Sequence, residues 1–284
     1  MRGTVPLERT PLNYRHAFHA GNFADLVKHA ALLHVLARLT AQAGPLSVID
    51  THAGRGLYDL ASIEAKTSGE AEAGIAKLMA ARDVPAEFAT LIAAVRKLNN
   101  GGPARRYPGS PWLIAEALRS GDSYLAYELR VDEHVALKEL MNARRGVQTV
   151  CADGYGAAVA RTPASGQALV LIDPPFERAD DYQRIVETLA AVRRRNRVTT
   201  ALVWLPLKDL ETFDRFLRDL EDTVRAPVLV AETRMRPLTD PLKMNGCALV
   251  LLGAPADMAG WLEAICAWTA RSLGQSGEAR VYAL

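Results

Sequence analysis

Asp173-Pro174-Pro175-Phe176 stands directly after an apolar run that closes on Leu171-Ile172. Two consecutive prolines fix two φ angles, and each confines the residue before it to extended backbone. An acid held by so rigid a turn at the carboxyl end of a strand faces the crevice in which α/β proteins bind ligands. Asp-Pro alone would serve simply to end a strand. The second proline and the aromatic after it add chemistry that a plain turn does not need. The Asp173 carboxylate and the Pro174 carbonyl can each accept one hydrogen of an exocyclic aromatic amine such as adenine N6, whose lone pair is otherwise delocalised into the ring. Together they would localise that lone pair and aim it at an electrophilic methyl group, through positioning and electrostatics alone. Phe176 would offer a face on which the base stacks, worth roughly 1–3 kcal/mol.

A second constellation follows the first apolar run. Asp50-Thr51-His52-Ala53-Gly54-Arg55-Gly56 places glycines where backbone must approach a ligand closely. A lone G-x-G is weak, and the full dinucleotide fingerprint is missing, which opposes a nicotinamide oxidoreductase. Glu128 closes the next strand-like run, where a doubly wound fold puts a ribose-hydroxyl acceptor. It comes later than the usual spacing of roughly 20 residues, and an insertion explains the delay. Asp153-Gly154, just past the third run, is placed to meet an adenine ring. Either acid alone would be an ordinary surface group. At successive strand ends, with Gly54 and Gly56, they favour a nucleoside cofactor.

The third constellation is Asn13-Tyr14-Arg15-His16-Ala17-Phe18-His19-Ala20-Gly21-Asn22, running into Asp25, Lys28 and His29. His16-x-x-His19 has no further Cys or His at ligand spacing, so no metal is expected. His29 falls on the apolar stripe of a helix, where a hydrogen-bonded core histidine is the ordinary outcome. So many titratable and aromatic side chains ahead of a helix nevertheless point to a substrate-facing segment.

The elements that must position these residues follow from periodicity. Asn22 can cap a helix with Asp25 in its first turn and Leu26, Ala30, Leu33 and Ala37 on one face, ending near Gly44-Pro45. Seven strand-like runs follow, at 46–50, 123–128, 147–151, 168–173, 199–205, 226–232 and 247–252. Helical spacing occupies 132–143, 180–194, 207–222 and 257–271. Strands alternating with helices predict an α/β fold with a seven-stranded, mainly parallel sheet, and nearly all-apolar strands predict cover on both faces. Residues 1–12 read as a flexible leader and 13–284 as one domain, with a helical insertion at about 61–120 that holds no strand-like run. Lys plus Arg total 34 against 32 Asp plus Glu, a net charge of +2 that by itself argues for no nucleic-acid partner. Short clusters such as Arg193-Arg194-Arg195 permit one. Three scattered cysteines suggest neither a zinc module nor a disulfide framework. With no secretory signal and no apolar run long enough for a bilayer, a cytoplasmic protein without membrane contact is expected.

These motifs, together with Tyr107-Pro108-Gly109-Ser110-Pro111, occur in an order and at spacings that resemble one family, the bacterial 23S ribosomal RNA adenine-N6 methyltransferases. The resemblance runs from about Leu12 to the carboxyl terminus. It implies a Rossmann-like fold, a monomer, S-adenosylmethionine as cofactor, and 23S rRNA as partner, naked or in an early assembly intermediate. It implies cofactor contacts at His29, His52, Ser110, Glu128, Asp153, Gly154 and Asp173, to which the glycine turn itself adds Gly54. By the same resemblance Asp173 is the catalytic acid of the motif, beside Pro174 and Phe176 in the roles their chemistry suggests toward a flipped base, and Tyr14, His16 and Lys28 lie near the target adenine. The family's motif usually ends in Tyr, so Phe176 retains stacking and lacks a phenol hydroxyl. The chain also extends upstream of the family's usual start. The same chemistry on DNA adenine is the nearest alternative, since both extract a base into a pocket. A catalytically silent RNA-binding protein on the same scaffold is the other, and the intact Asp173 turn argues against it.

Overall fold

The computed structural model describes residues 15–240 and 243–284, so the leader expected at 1–12, and Tyr14 with it, lie outside the described residues. A short 3-10 turn, His16–Phe18, leads to Asn22, whose side chain accepts the Asp25 N–H at 2.9 Å. That cap starts α1 (Phe23–Thr40), as the sequence indicated. After Gly44 the chain enters β1 (Leu46–Asp50), then β2 (Leu57–Asp59), α2 (Ile63–Ser68), a π-helical turn at Glu72–Ala76, α3 (Lys77–Ala80), α4 (Ala89–Leu98), β3 (Arg106–Pro108) and α5 (Ser110–Ala117). The remaining elements alternate: β4 (Ser123–Tyr127), α6 (Val131–Met141), β5 (Val147–Val150), α7 (Gly154–Arg161), β6 (Gln167–Ile172) and α8 (Asp181–Arg195). Then come β7 (Thr200–Leu207), α9 (Leu210–Val224), β8 (Val228–Arg234), β9 (Gly246–Leu252), α10 (Met258–Leu273) and β10 (Glu278–Ala283).

The main sheet has eight strands in the order β10-β8-β9-β7-β6-β1-β4-β5. All seven strand-like runs are strands, and the seven-stranded expectation is corrected by β10, which pairs antiparallel with β8. Glu278 and Arg280 alternate with apolar residues along β10, the pattern of an edge strand wet on one face. A search for continuous apolar runs passes over it. β9 is antiparallel to both β7 and β8, while β1, β4, β5, β6 and β7 are mutually parallel. The expectation of no strand in the insertion is corrected too: β2 and β3 form a two-stranded antiparallel sheet, Tyr58 opposite Tyr107. Three-residue strands, one ending in proline, are too short for a period of two to register.

Alternating side chains explain the apolar strands. Leu169 and Leu171 of β6 join the core beneath α1, α10 and the insertion, while Val170 and Ile172 join the core beneath α7, α8 and α9. The chain steps outward from β1 through β4 to β5, then returns to β6 on the other side of β1. That reversal leaves a crevice above the carboxyl ends of β1, β4 and β6, where doubly wound sheets bind ligands. Among the described residues no helix is long and apolar enough to cross a membrane.

Candidate active site

The carboxyl ends of the parallel strands open on a cleft of about 390 Å³. Apart from Tyr14, every residue expected at the site lines it.

One half of the cleft is built around the turn after β1. Gly54 has φ +63°, and a Cβ there would lie 2.4 Å from the Tyr58 hydroxyl. Its N–H donates to Glu128 Oε2 at 2.9 Å, and the Arg130 N–H donates to Oε1 at 2.7 Å. Burial raises the Glu128 carboxyl above its ordinary value, against the pull of those two N–H groups. At the end of β5, Asp153 caps α7 by accepting the Tyr155 N–H at 3.0 Å. Gly154 begins that helix, and a Cβ on it would strike the Thr51 carbonyl at 2.2 Å. Helix α7, which the glycines at 154 and 156 concealed in the sequence, therefore sits directly on the β1 turn. His52 lies edge-on to Tyr155, and burial lowers its pKa to about 3, so the ring is neutral at physiological pH.

Beneath that turn, Asp50 is 0% exposed. Its Oδ2 accepts from Ser110 Oγ at 2.8 Å and from the Tyr124 hydroxyl at 3.1 Å, and burial pushes its carboxyl up to about 6. Ser110 thus spends its proton inward, leaving its lone pairs for the cleft. His29 is buried in the cleft wall, with Nδ1 2.9 Å from the Tyr107 hydroxyl, and burial lowers it to about 3.

The other half is a chain of charges. Asp173 follows β6 and receives Lys28 Nζ at 2.5 Å on Oδ2. The same ammonium lies 2.9 Å from Asp25 Oδ1, with Lys28 only 6% and Asp173 18% exposed. Asp25 Oδ2 in turn meets His16 Nε2 at 3.0 Å and accepts the Gly21 N–H at 2.9 Å. Burial alone would lower the Lys28 pKa, but the Asp173 and Asp25 carboxylates outweigh it and hold the ammonium above its ordinary value. Burial would raise Asp25, and the charges of His16 and Lys28 hold it well below. Lys28 is therefore a buried partner of Asp173 rather than a solvent-facing cation. Glu70, from the insertion, accepts from Asn22 Nδ2 at 2.8 Å and lies 2.9 Å from His19 Nδ1, fixing the loop that carries His16.

Phe176 adopts φ +53°, a left-handed conformation costly for a residue with a Cβ. The reversal lays its ring 4.9 Å from Tyr182 and 5.9 Å from Trp204, so the turn after β6 ends in an aromatic wall. Trp204 and Tyr182 carried no motif in the sequence. Nor did the part played by Asp50: a strand-closing acid is visible, but its partners Ser110 and Tyr124 arrive from far along the chain, whereas Asp25, a visible first-turn acid, takes His16, Gly21 and Lys28 from its own stretch.

The family model described as ribosomal RNA large subunit methyltransferase D, RlmJ, matches residues 43–283. Ribosomal RNA large subunit methyltransferase J of Haemophilus influenzae is 33% identical over 268 residues, 94% of this chain and 95% of that protein. The protein of the same name from Escherichia coli is 32% identical over 267 residues, with the same coverage of each. A crystal structure of a Legionella pneumophila protein superposes with a TM-score of 0.83 at 28% identity, covering 94% of this chain and 98% of that one.

Proposed function

This chain belongs to the ribosomal RNA large subunit methyltransferase D, RlmJ family, and from that membership we propose that its cleft methylates N6 of an adenine in 23S rRNA with S-adenosylmethionine. The observation that carries the reading is Asp173, at the meeting of a glycine-lined pocket of strand-end acids with the buried Lys28–Asp25–His16 chain.

The residues present suit the cofactor. Glu128 is an acceptor already aimed by two backbone N–H groups, fit for a ribose diol. Asp153 and the Gly154 backbone can meet the adenine ring, and Ser110, with its proton given to Asp50, can only accept, as an α-ammonium requires. Neutral His52 and His29 add no positive charge against a sulfonium. S-adenosylmethionine, when bound, supplies a sulfonium-activated methyl group open to attack by nitrogen.

The protein's part is to make adenine N6 that nitrogen. Lys28 holds Oδ2 of Asp173 and leaves Oδ1 for one N6 hydrogen. The Pro174 carbonyl takes the other, and the base lies against Phe176 with Tyr182 and Trp204 behind it. Held this way, the amino group presents its lone pair across the cleft, and the surplus proton left on nitrogen after transfer has the Asp173 carboxylate beside it. The family resemblance implies a monomer acting on naked rRNA or an early assembly intermediate. The relatives' names favour ribosomal RNA over DNA.

The test is Asp173→Ala on folded protein. Losing one preorganised acceptor should lower the single-turnover rate about 10²–10³-fold. A rate close to native would remove Asp173 from the chemistry.

A further inference from the structure

Asp153 is held by more than a helix cap needs. Its Oδ1 takes the Tyr155 N–H at 3.0 Å, which completes the cap of α7. Its Oδ2 takes Arg184 Nη2 at 2.8 Å, and Arg178 Nη1 stands 3.6 Å from the same oxygen. Asp153 is 37% exposed, so water could solvate its charge without an arginine. Arg184 comes from α8 and is fixed on a second side, its guanidinium 4.3 Å over the Tyr155 ring. Tyr155 is itself pinned, its hydroxyl donating to Asp181 Oδ1 at 3.0 Å, while the Arg178 N–H donates to Asp181 Oδ2 at 3.2 Å. A planar fork clamped between a ring and a carboxylate sets a direction as well as a charge.

We propose that Arg184 is a positioning residue that orients Asp153 to accept from the 6-amino group of the cofactor's adenine, and so makes the pocket select adenosyl over 6-oxopurine ligands. The proposal rests on the reading of Asp153 as the adenine acceptor. A carboxylate only accepts, so a 6-amino group finds a partner, whereas a 6-oxo group sets lone pair against lone pair. With Oδ2 tied to Arg184 and Oδ1 to the cap, the carboxylate cannot turn away from that choice.

The experiment is calorimetric titration of S-adenosylhomocysteine and S-inosylhomocysteine into the native chain, Arg184→Gln, Arg184→Lys and Asp153→Asn, with thermal melts to establish that each is folded. The native protein should prefer the adenosyl ligand about 10–100-fold, the worth of a hydrogen bond to a charged acceptor. Arg184→Gln should cut that preference about tenfold, almost wholly by weakening the adenosyl ligand, and Arg184→Lys should fall between. If Arg184→Gln weakens both ligands alike, weakens neither, or strengthens the adenosyl ligand, Arg184 is a strut between α7 and α8 and the proposal is overturned. If Asp153→Asn keeps the native preference, the reading of Asp153 fails instead. Should Arg184→Gln not fold, Arg184→Lys decides the matter by the same ratio.

Discussion

Replacing Lys28 by methionine removes the charge that links Asp173 to Asp25 and His16 while keeping the volume of the side chain. Two charge-assisted contacts vanish, at 2.5 Å to Asp173 and 2.9 Å to Asp25. Breaking a buried pair by removing one partner costs about 3–5 kcal/mol, because the other charge is left unpaired. Here two features pull toward the lower end. Asp173 is 18% exposed and can regain water, and Asp25 keeps both His16 and the Gly21 N–H. A loss of about 3 kcal/mol corresponds to a fall in melting temperature of roughly 6–12 °C for a domain of this size. Catalysis should suffer separately. An Asp173 carboxylate free to rotate no longer offers one oxygen in a fixed direction, so single-turnover methylation should drop about 10²–10³-fold. On the proposed reading the cofactor is held mainly by the other half of the cleft, so its affinity should change far less. Melts, calorimetry and single-turnover rates on the same preparation separate these effects, and a double-mutant cycle with Asp173→Asn measures the coupling. Near-native melting and rate in Lys28→Met, or additive losses in the cycle, would refute the idea that Lys28 works through Asp173.

Two further outcomes follow from the nucleoside half. Glu128→Ala should weaken S-adenosylmethionine binding by roughly 1.5–3 kcal/mol, the worth of hydrogen bonds to a charged acceptor, and unchanged calorimetric affinity would remove Glu128 from the site. Asp50 gives a pH signature: burial lifts its folded pKa to about 6, so the folded state binds its proton more tightly than the unfolded chain does. Its cost to stability is absent below the unfolded value, grows as pH rises toward 6, and is constant above. Relative to the native protein, Asp50→Asn should therefore gain on the order of 2–3 kcal/mol between pH 4 and pH 7 in urea titrations, and a pH-independent difference would contradict the raised pKa.

Much of this molecule can be read from its residues because the decisive signals are local. Asp173-Pro174-Pro175-Phe176 needs nothing beyond its own prolines to aim an acid from a strand end, and Asn22 needs only Asp25 to start a helix. Buried parallel strands declare themselves as apolar runs, and all seven of those runs are strands. What escaped depends on partners far away in sequence. β3 exists because Tyr107 meets Tyr58 across the insertion, and β10 because β8 offers it an edge. Lys28 has the same character: its spacing places it on a helix near the site, but only the fold brings Asp173, 145 residues on, to its ammonium. Asp153-Gly154 was visible in the sequence, but Arg184, 31 residues on, gave no sign that it clamps Asp153. Phe176 was legible as an aromatic, while its left-handed turn onto Tyr182 and Trp204 was not.

Methyl transfer to adenine N6 in ribosomal RNA can be tested in one incubation. The folded protein is given methyl-labelled S-adenosylmethionine with unmodified 23S rRNA transcript and, in parallel, with adenine-containing duplex DNA, and each product is digested to nucleosides. The mechanism predicts label in N6-methyladenosine from the RNA and none from the DNA. Label in any other nucleoside, or equal labelling of DNA adenine, would contradict it.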